Sequence, residues 1–81
     1  MFYEVRIAPA AGEIDAAIME GINQQSGGKD VARIETEEGV MYFIIGPFAD
    51  KAEAEKLTEF VSAMGIGEVT CDLAGMAKEN E

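Results

Sequence analysis

The chain has 81 residues, and its 6 lysine and arginine residues against 16 aspartate and glutamate residues give a formal net charge of −10. Such acidity argues against nucleic acid and anionic lipid surfaces as partners, because phosphate binding requires a concentrated basic surface. The length suffices for one small globular domain, which we expect to span residues 1–73.

The few special residues of the chain limit its chemistry further. Its single cysteine, Cys71, excludes an internal disulfide, and the chain has no histidine. No apolar run approaches the roughly 20 residues that cross a bilayer, so we expect no direct membrane insertion. No signal peptide precedes the first predicted strand; if the parent protein is exported, we expect its targeting segment outside this chain.

The chain begins with an alternating segment and continues into an amphipathic one. Residues 2–8 predict a half-buried strand that is ended by Pro9, with Glu4 and Arg6 on its polar face. Residues 13–24 predict a helix, because their apolar positions recur at helical spacing. Its apolar stripe comprises Ile14, Ala17, Ile18, Gly21 and Ile22.

Two glycines of this helix carry specific expectations. Gly12 is a weak N-cap, so the start of the helix is poorly marked. Gly21 lies within the apolar stripe and costs about 1 kcal/mol relative to alanine, which predicts a close approach of the helix to the sheet.

A hairpin is predicted next. Residues 31–36 form a weaker strand with Ile34 pointing inward, and Glu37 to Gly39 form a tight turn in which Gly39 has a positive φ. Residues 40–45 are almost wholly apolar and therefore predict a central strand. Alternation turns Met41, Phe43 and Ile45 toward the core and Val40, Tyr42 and Ile44 away from it.

The last third of the chain predicts a helix and a strand. Asp50 is a strong N-cap for a helix over residues 51–64, with Glu53 completing a capping box, and Gly65 ends it. Its inward residues are Ala54, Leu57, Val61 and Met64. Residues 68–73 alternate as a strand with Val69, Cys71 and Leu73 inward, and residues 74–81 are expected to fray.

The predicted order is β-α-β-β-α-β, with an internal repeat that aligns residues 5–10 with residues 43–48. A duplicated split β-α-β unit predicts an α+β ferredoxin-like, or RNP-like, fold. Its four-stranded antiparallel sheet has the order 2-3-1-4. Right-handed crossovers place both helices on one sheet face and leave the other face open.

The open face is the candidate binding surface. Both arginines of the chain point there, beside an aromatic and two β-branched residues of the central strand. Guanidinium groups with an adjacent ring suit sugar or peptide recognition. Ordinary Arg–Glu cross-strand pairing, or an apolar row covered by a partner, explains the same pattern. The candidate ligand-binding residues are Glu4, Arg6, Arg33, Val40, Tyr42, Ile44 and Thr70.

Catalytic and cofactor patterns are weak. Ser26 and Ser62 have no histidine to act as base, and Cys71 is predicted inward as a small core residue. The glutamates around the hairpin turn lack the spacing of a calcium loop. We therefore predict no enzyme activity, no cofactor and no metal site.

The segment from Tyr42 to Phe48, followed by Glu53-Ala54-Glu55-Lys56-Leu57, resembles the second half of a SPOR (sporulation-related repeat) domain, most specifically at Gly46-Pro47-Phe48. Residues 3–7 resemble the first strand of that family. The resemblance implies a periplasmic or cell-envelope module that binds peptidoglycan glycan strands through the open sheet face. Family positions that are polar correspond here to Tyr42 and Ile44, and Ala8-Pro9-Ala10 replaces Gly-Ser-Phe.

Two other functions remain open at this point. The apolar row Val40-Tyr42-Ile44 would suit a protein-interaction module or a homodimer through the sheet face. The same element order also occurs in ACT-like regulatory domains that bind small ligands at a subunit interface.

Overall fold

The computed structural model describes residues 1–74, which form four strands and two helices. In chain order these are β1 (Tyr3–Pro9), α1 (Ala16–Gln25), β2 (Val31–Glu37), β3 (Val40–Phe48), α2 (Lys51–Met64) and β4 (Gly67–Leu73). The strands are antiparallel in the order β2-β3-β1-β4. The α+β ferredoxin-like fold predicted from the sequence is therefore confirmed, and all of the predicted tail except Ala74 lies outside the described residues.

The hydrophobic core lies between the two helices and one face of the sheet. Fully burying one large aliphatic or aromatic side chain contributes about 1.5–3 kcal/mol, so this layer fixes the position of the sheet. The core consists of Val5, Ile7, Ile22, Ile45, Phe48, Ala54, Leu57 and Val61. Among residues 1–74, no helix lies on the opposite sheet face, which is called the open face below.

The second helix has the boundaries that its end signals predict. The Asp50 carboxylate accepts a hydrogen bond from the backbone N–H of Ala52 at 3.0 Å. Gly65 ends the helix with a φ of 69°, and its N–H donates to the carbonyl of Ser62. The acidic cap and the glycine stop are thus both confirmed, because each satisfies backbone groups that the helix leaves unpaired.

The first helix begins later than predicted. Asp15 is its N-cap and accepts from the N–H of Ala17 at 3.3 Å, so α1 starts at Ala16 rather than at residue 13. The expectation for Gly21 is also wrong. A Cβ added at this position would lie 3.9 Å from the Phe60 ring of α2, which is an ordinary contact. Gly21 therefore faces the other helix and is not needed for a close approach to the sheet.

The edge strand β2 departs from the prediction at Ile34, which is 53% exposed. Ile34 pairs with Phe43 and so lies on the helix side of the sheet, but this edge extends beyond the cover of the helices. Met41 of β3 was also expected in the core and is 41% exposed for the same reason. An irregularity in the pairing follows Val31, which packs against the core instead.

The hairpin between β2 and β3 contains only Glu38 and Gly39, with φ values of 52° and 83°. Positive φ at both residues is the requirement of a type I′ turn, for which Asn-Gly is strongly preferred. The expectation for Gly39 is confirmed, and Glu38 is the strained member of the turn.

Replacing Glu38 by asparagine is expected to raise the free energy of unfolding by about 1 kcal/mol, since asparagine tolerates the left-handed region better than other residues with a Cβ. Urea unfolding followed by circular dichroism measures the change. Glu38→Gln removes the same charge without the turn preference and serves as the control. Equal stabilisation by both variants would mean that charge, and not backbone strain, limits the turn.

Candidate functional site

Strand pairing assembles the open face from all four strands. Directly opposed residues of an antiparallel pair point to the same side of a sheet. Ile44 of β3 lies between Arg33 of β2 and Arg6 of β1, and Thr70 of β4 lies on the far side of Arg6. The same pairing puts the remaining candidate residues on this face, with Tyr42 opposite Glu35, Val40 opposite Glu37, and Glu4 opposite Asp72.

Arg33 reaches across the sheet to Glu4. Its two terminal nitrogens lie 2.8 and 2.9 Å from the two carboxylate oxygens of Glu4, a bidentate pair. Its Nε donates to Glu35 at 2.6 Å on its own strand. Because Arg33 is on β2 and Glu4 is on β1, this ion pair passes over the intervening strand β3.

Arg6 makes the reverse crossing. It lies on β1, and its Nη1 donates to Glu35 of β2 at 3.0 Å. Glu37 and Asp72 lie 3.7 and 3.8 Å from other nitrogens of the same guanidinium. The guanidinium carbon also lies 4.5 Å from the centre of the Tyr42 ring, in cation–π range. Arg6 therefore connects carboxylates of β2 and β4 with the ring on β3.

The two crossings define what we call the ion-pair lattice, which consists of Glu4, Arg6, Arg33 and Glu35. Ile44 lies beneath it and is completely buried, although it is not part of the core between sheet and helices. The prediction that Ile44 faces solvent is therefore wrong, because alternation gives the face of a residue but not what covers it. Tyr42 is only half-buried, and Val40 is 43% exposed.

The apolar row predicted on β3 is thus reduced to one exposed residue, Val40, with Tyr42 partly covered by Arg6. An interface built on Val40, Tyr42 and Ile44 requires Ile44 to be accessible. Burial of Ile44 removes the observation on which a homodimer through this face depended.

Three of the four lattice side chains are substantially shielded from water, whereas Arg33 is 39% exposed. The side chains of Glu4 and Glu35 are only 11% and 12% exposed, and that of Arg6 is 17% exposed. Hydrogen bonds to Glu4, and then to Glu35, raise the pKa of the Arg33 guanidinium above its already high value. Among the described residues, no buried side-chain nitrogen or oxygen lacks a hydrogen-bond partner. Pairing of this kind is the condition for keeping charges at low exposure.

The open face as a whole remains negative. Its charged side chains among the strand residues described are five carboxylates and two guanidiniums, which give a net charge of −3. Sequence reasoning selected Arg6, Arg33 and Glu4 but left out Glu35, the residue that both arginines share. The alternation of β2 already placed Glu35 beside Arg33; which carboxylate each arginine contacts depends on the strand order.

The other chemically interesting groups lie elsewhere. Cys71 is half-buried on the helix side of β4, where burial, and secondarily Glu55, raises the pKa of its thiol. A groove of about 570 Å³ lies between the β1–α1 loop and Ile66, and Ile14 and Glu13 are among its lining residues. None of the seven candidate residues lines this groove.

Two other kinds of feature are absent from residues 1–74. No group of three or more cysteine, aspartate and glutamate side chains there is arranged to hold a metal ion. Neither described helix has the length and apolar character needed to span a membrane.

Comparison of the chain with protein-family models, with curated proteins and with solved structures finds no match. The resemblance to SPOR domains therefore remains an expectation from the residues of β1, β3 and α2.

Replacing Arg33 by alanine is expected to lower the free energy of unfolding by about 1–3 kcal/mol, since Glu4 then keeps its low exposure without a bidentate partner. The value should fall toward the lower end, because the Arg33 side chain is itself 39% exposed and water reaches the vacated position. Arg33→Lys keeps the positive charge but cannot form the bidentate pair, so it should recover only part of the lost free energy of unfolding. Urea unfolding followed by circular dichroism measures all three proteins.

Lys51 supplies the matched control for this experiment. Its ion pair with Glu55 on α2 is 3.9 Å long, and both side chains are more than half exposed. Loss of such a surface pair has little measurable effect. If Arg33→Ala were no more destabilising than Lys51→Ala, the lattice would contribute nothing beyond ordinary surface charge.

Proposed function

We propose that the chain is a non-catalytic module that binds the glycan strands of peptidoglycan through the open sheet face. The observation that carries the proposal is the lattice, which fixes planar hydrogen-bonding groups across a helix-free surface. The likeness of Tyr42 to Phe48 to the SPOR motif points to the same ligand. In this proposal the contacting residues are Arg6, Arg33, Tyr42, Val40, Thr70 and Glu4, with Ile44 supporting them from beneath.

Fixed geometry favours this use of the surface. Binding normally costs about 0.5–1.5 kcal/mol for each flexible side chain that becomes ordered. The guanidinium of Arg6 is already held by Glu35 and by the Tyr42 ring, and that of Arg33 is held at three nitrogens. A sugar that accepts a bond from the remaining N–H groups therefore meets donors whose position is set in advance.

Charge decides which groups of the glycan are recognised. Both arginines already pair with carboxylates of the chain, and the face keeps a net charge of −3. A carboxylate of the ligand would be repelled, whereas hydroxyl groups donate to the face carboxylates and accept from the guanidiniums. We therefore assign recognition to the hydroxyl and N-acetyl groups of the sugars. Amidase cleaves the amide bond between a stem peptide and the lactyl group of muramic acid, so the stem carboxylates leave and a lactyl carboxylate is exposed. Because a stem peptide carries more than one carboxylate, its removal lowers the negative charge and should strengthen binding.

The shape of the face supports binding without catalysis. Hydrolysis of a glycosidic bond uses two carboxyl groups on either side of the bond, one of them protonated. The acidic groups of the open face lie on a continuous sheet surface rather than on opposite walls of a cleft. Such a surface does not place two carboxyl groups on either side of a scissile bond.

A pull-down with purified sacculi tests the proposal. We expect the chain to be retained, and more strongly after amidase treatment has removed the stem peptides, because fewer carboxylates then oppose the acidic face. Thr70 is exposed on the open face between Arg6 and the β4 edge. Thr70→Glu is expected to reduce the retained fraction at least about fivefold by adding a like charge and bulk there.

Ser62 provides the matched control, since it is an exposed hydroxyl residue on α2. Ser62→Glu makes the same chemical change on the helix side and should bind like the unmodified chain. Amide chemical-shift mapping with soluble glycan fragments gives a second readout, with the largest changes expected at Arg6, Arg33, Tyr42 and Thr70. Absence of retention on both sacculus preparations, or shifts confined to the helices, would rule the proposal out.

A further inference from the structure

The edge strand β2 presents an exposed apolar residue beside paired charges of opposite sign. Ile34 is 53% exposed on the helix side of the strand, and Arg33 and Glu35 flank it on the open face. A bare edge with an exposed apolar residue is a template for pairing with another strand. Within the part of the chain that the structure describes, the outer backbone edge of this strand is unpaired. The strand also carries an exposed apolar side chain and charges of both signs within three residues.

We infer that β2 pairs antiparallel with β2 of a second copy of this chain, with the two-fold axis at Ile34. This arrangement joins the two sheets into one continuous sheet of eight strands. It is independent of the open-face apolar row considered for a homodimer above, because the contact runs along the strand edge.

The charges of β2 select the register. Successive side chains of a strand point to opposite faces of the sheet, and directly opposed side chains point to the same face. A two-fold axis that keeps both open faces on the same side must therefore lie between the two copies of one residue, which is called the centre of the register. An axis at Ile34 sets Arg33 opposite Glu35 of the second copy, and Glu35 opposite Arg33, while the two Ile34 side chains meet. Opposite charges in directly opposed positions stabilise a strand pair.

The neighbouring registers bring like charges together. An axis at Arg33 opposes the two arginines, and an axis at Thr36 sets Glu35 against Glu37. An axis at Glu35 sets Arg33 against Glu37, but it also opposes the two Glu35 side chains at the centre. Like charges in these positions destabilise the pair. Of these four registers, only the one centred at Ile34 forms opposite-charge pairs without a like-charge pair.

The other edge of the sheet lacks this complementarity. The open-face residues of β4 are Glu68, Thr70 and Asp72, with no cation among them. An axis at Thr70 would oppose Glu68 and Asp72. The inward residues Val69 and Cys71 are already half-covered by packing against the core. Self-pairing therefore favours the β2 edge over the β4 edge.

A two-fold axis perpendicular to the sheet directs both open faces toward the same side. If the proposed function holds, one dimer offers two adjoining glycan-binding faces to a single polymer, and the second contact is strengthened by its high effective concentration. This consequence rests on the proposed function, whereas the pairing of β2 does not.

The oligomeric state tests the inference without any ligand. Sedimentation equilibrium of the full chain from about 10 µM to about 1 mM covers the range in which a weak interface dissociates. The mass is expected to rise from monomer toward dimer. Ile34→Glu places two carboxylates at the axis and should raise the dissociation constant at least about tenfold. Because Ile34 is exposed, this change should leave the monomer folded.

Ala52 supplies a charge-matched control, as it is exposed in the first turn of α2. Ala52→Glu adds the same charge away from the strand and should dimerise like the unmodified chain. A mass that stays monomeric over the whole range, or a dimer that Ile34→Glu leaves intact, would overturn the inference.

Disulfide cross-linking tests the register itself, in a Cys71→Ala background. Opposed residues of antiparallel strands have Cα atoms about 4.5–5.5 Å apart, within the range of a disulfide. Ile34→Cys should therefore cross-link two chains under mild oxidation. Thr36 is exposed on the same strand, but its two copies would lie about 13 Å apart along the strand direction. Thr36→Cys should cross-link slowly, and equal rates for both variants would refute the register.

Discussion

The open face is organised by two arginines that each cross a strand to reach a carboxylate. Arg33 of β2 reaches Glu4 of β1, and Arg6 of β1 reaches Glu35 of β2, so that both ion pairs pass over β3. These crossings bury Ile44 on a face that neither of the two described helices covers. They also hold the guanidiniums in place, with one of them against the Tyr42 ring. The side chains of this face therefore form a connected layer, and not a row of independent surface residues.

The lattice restricts the ligands that the face suits. Bringing charged side chains to low exposure carries a desolvation cost that their mutual attraction offsets only when the partners remain in place. A ligand that pulled Arg6 or Arg33 away from its carboxylate would have to compensate for that loss. Ligands that accept hydrogen bonds from the outer N–H groups, and donate hydrogen bonds to the acidic side chains around them, leave the arginine–carboxylate pairs intact. Hydroxyl-rich polymers of low charge fit this requirement better than strongly anionic ones.

Burial explains why the two sheet faces were not equally predictable. On the helix side, alternation placed Val5, Ile7 and Ile45 in the core, because any fold of this order must cover that face. Ile34 shares the side of the sheet but lies on an edge strand, where helix position decides its exposure. Ile44 was the opposite case, since alternation directed it to the open face and long side chains from two other strands then covered it.

The sequence by itself determined the element order, the second helix with its Asp50 cap and Gly65 stop, and the face on which most strand residues lie. These features depend on local periodicity, capping and backbone conformation, which short stretches of chain encode. Only the tertiary structure decided that Arg6 and Arg33 share Glu35, that Ile44 is covered and that Ile34 is exposed. Each of these depends on which strands are neighbours and how far the helices extend over them, and contacts between distant segments set both.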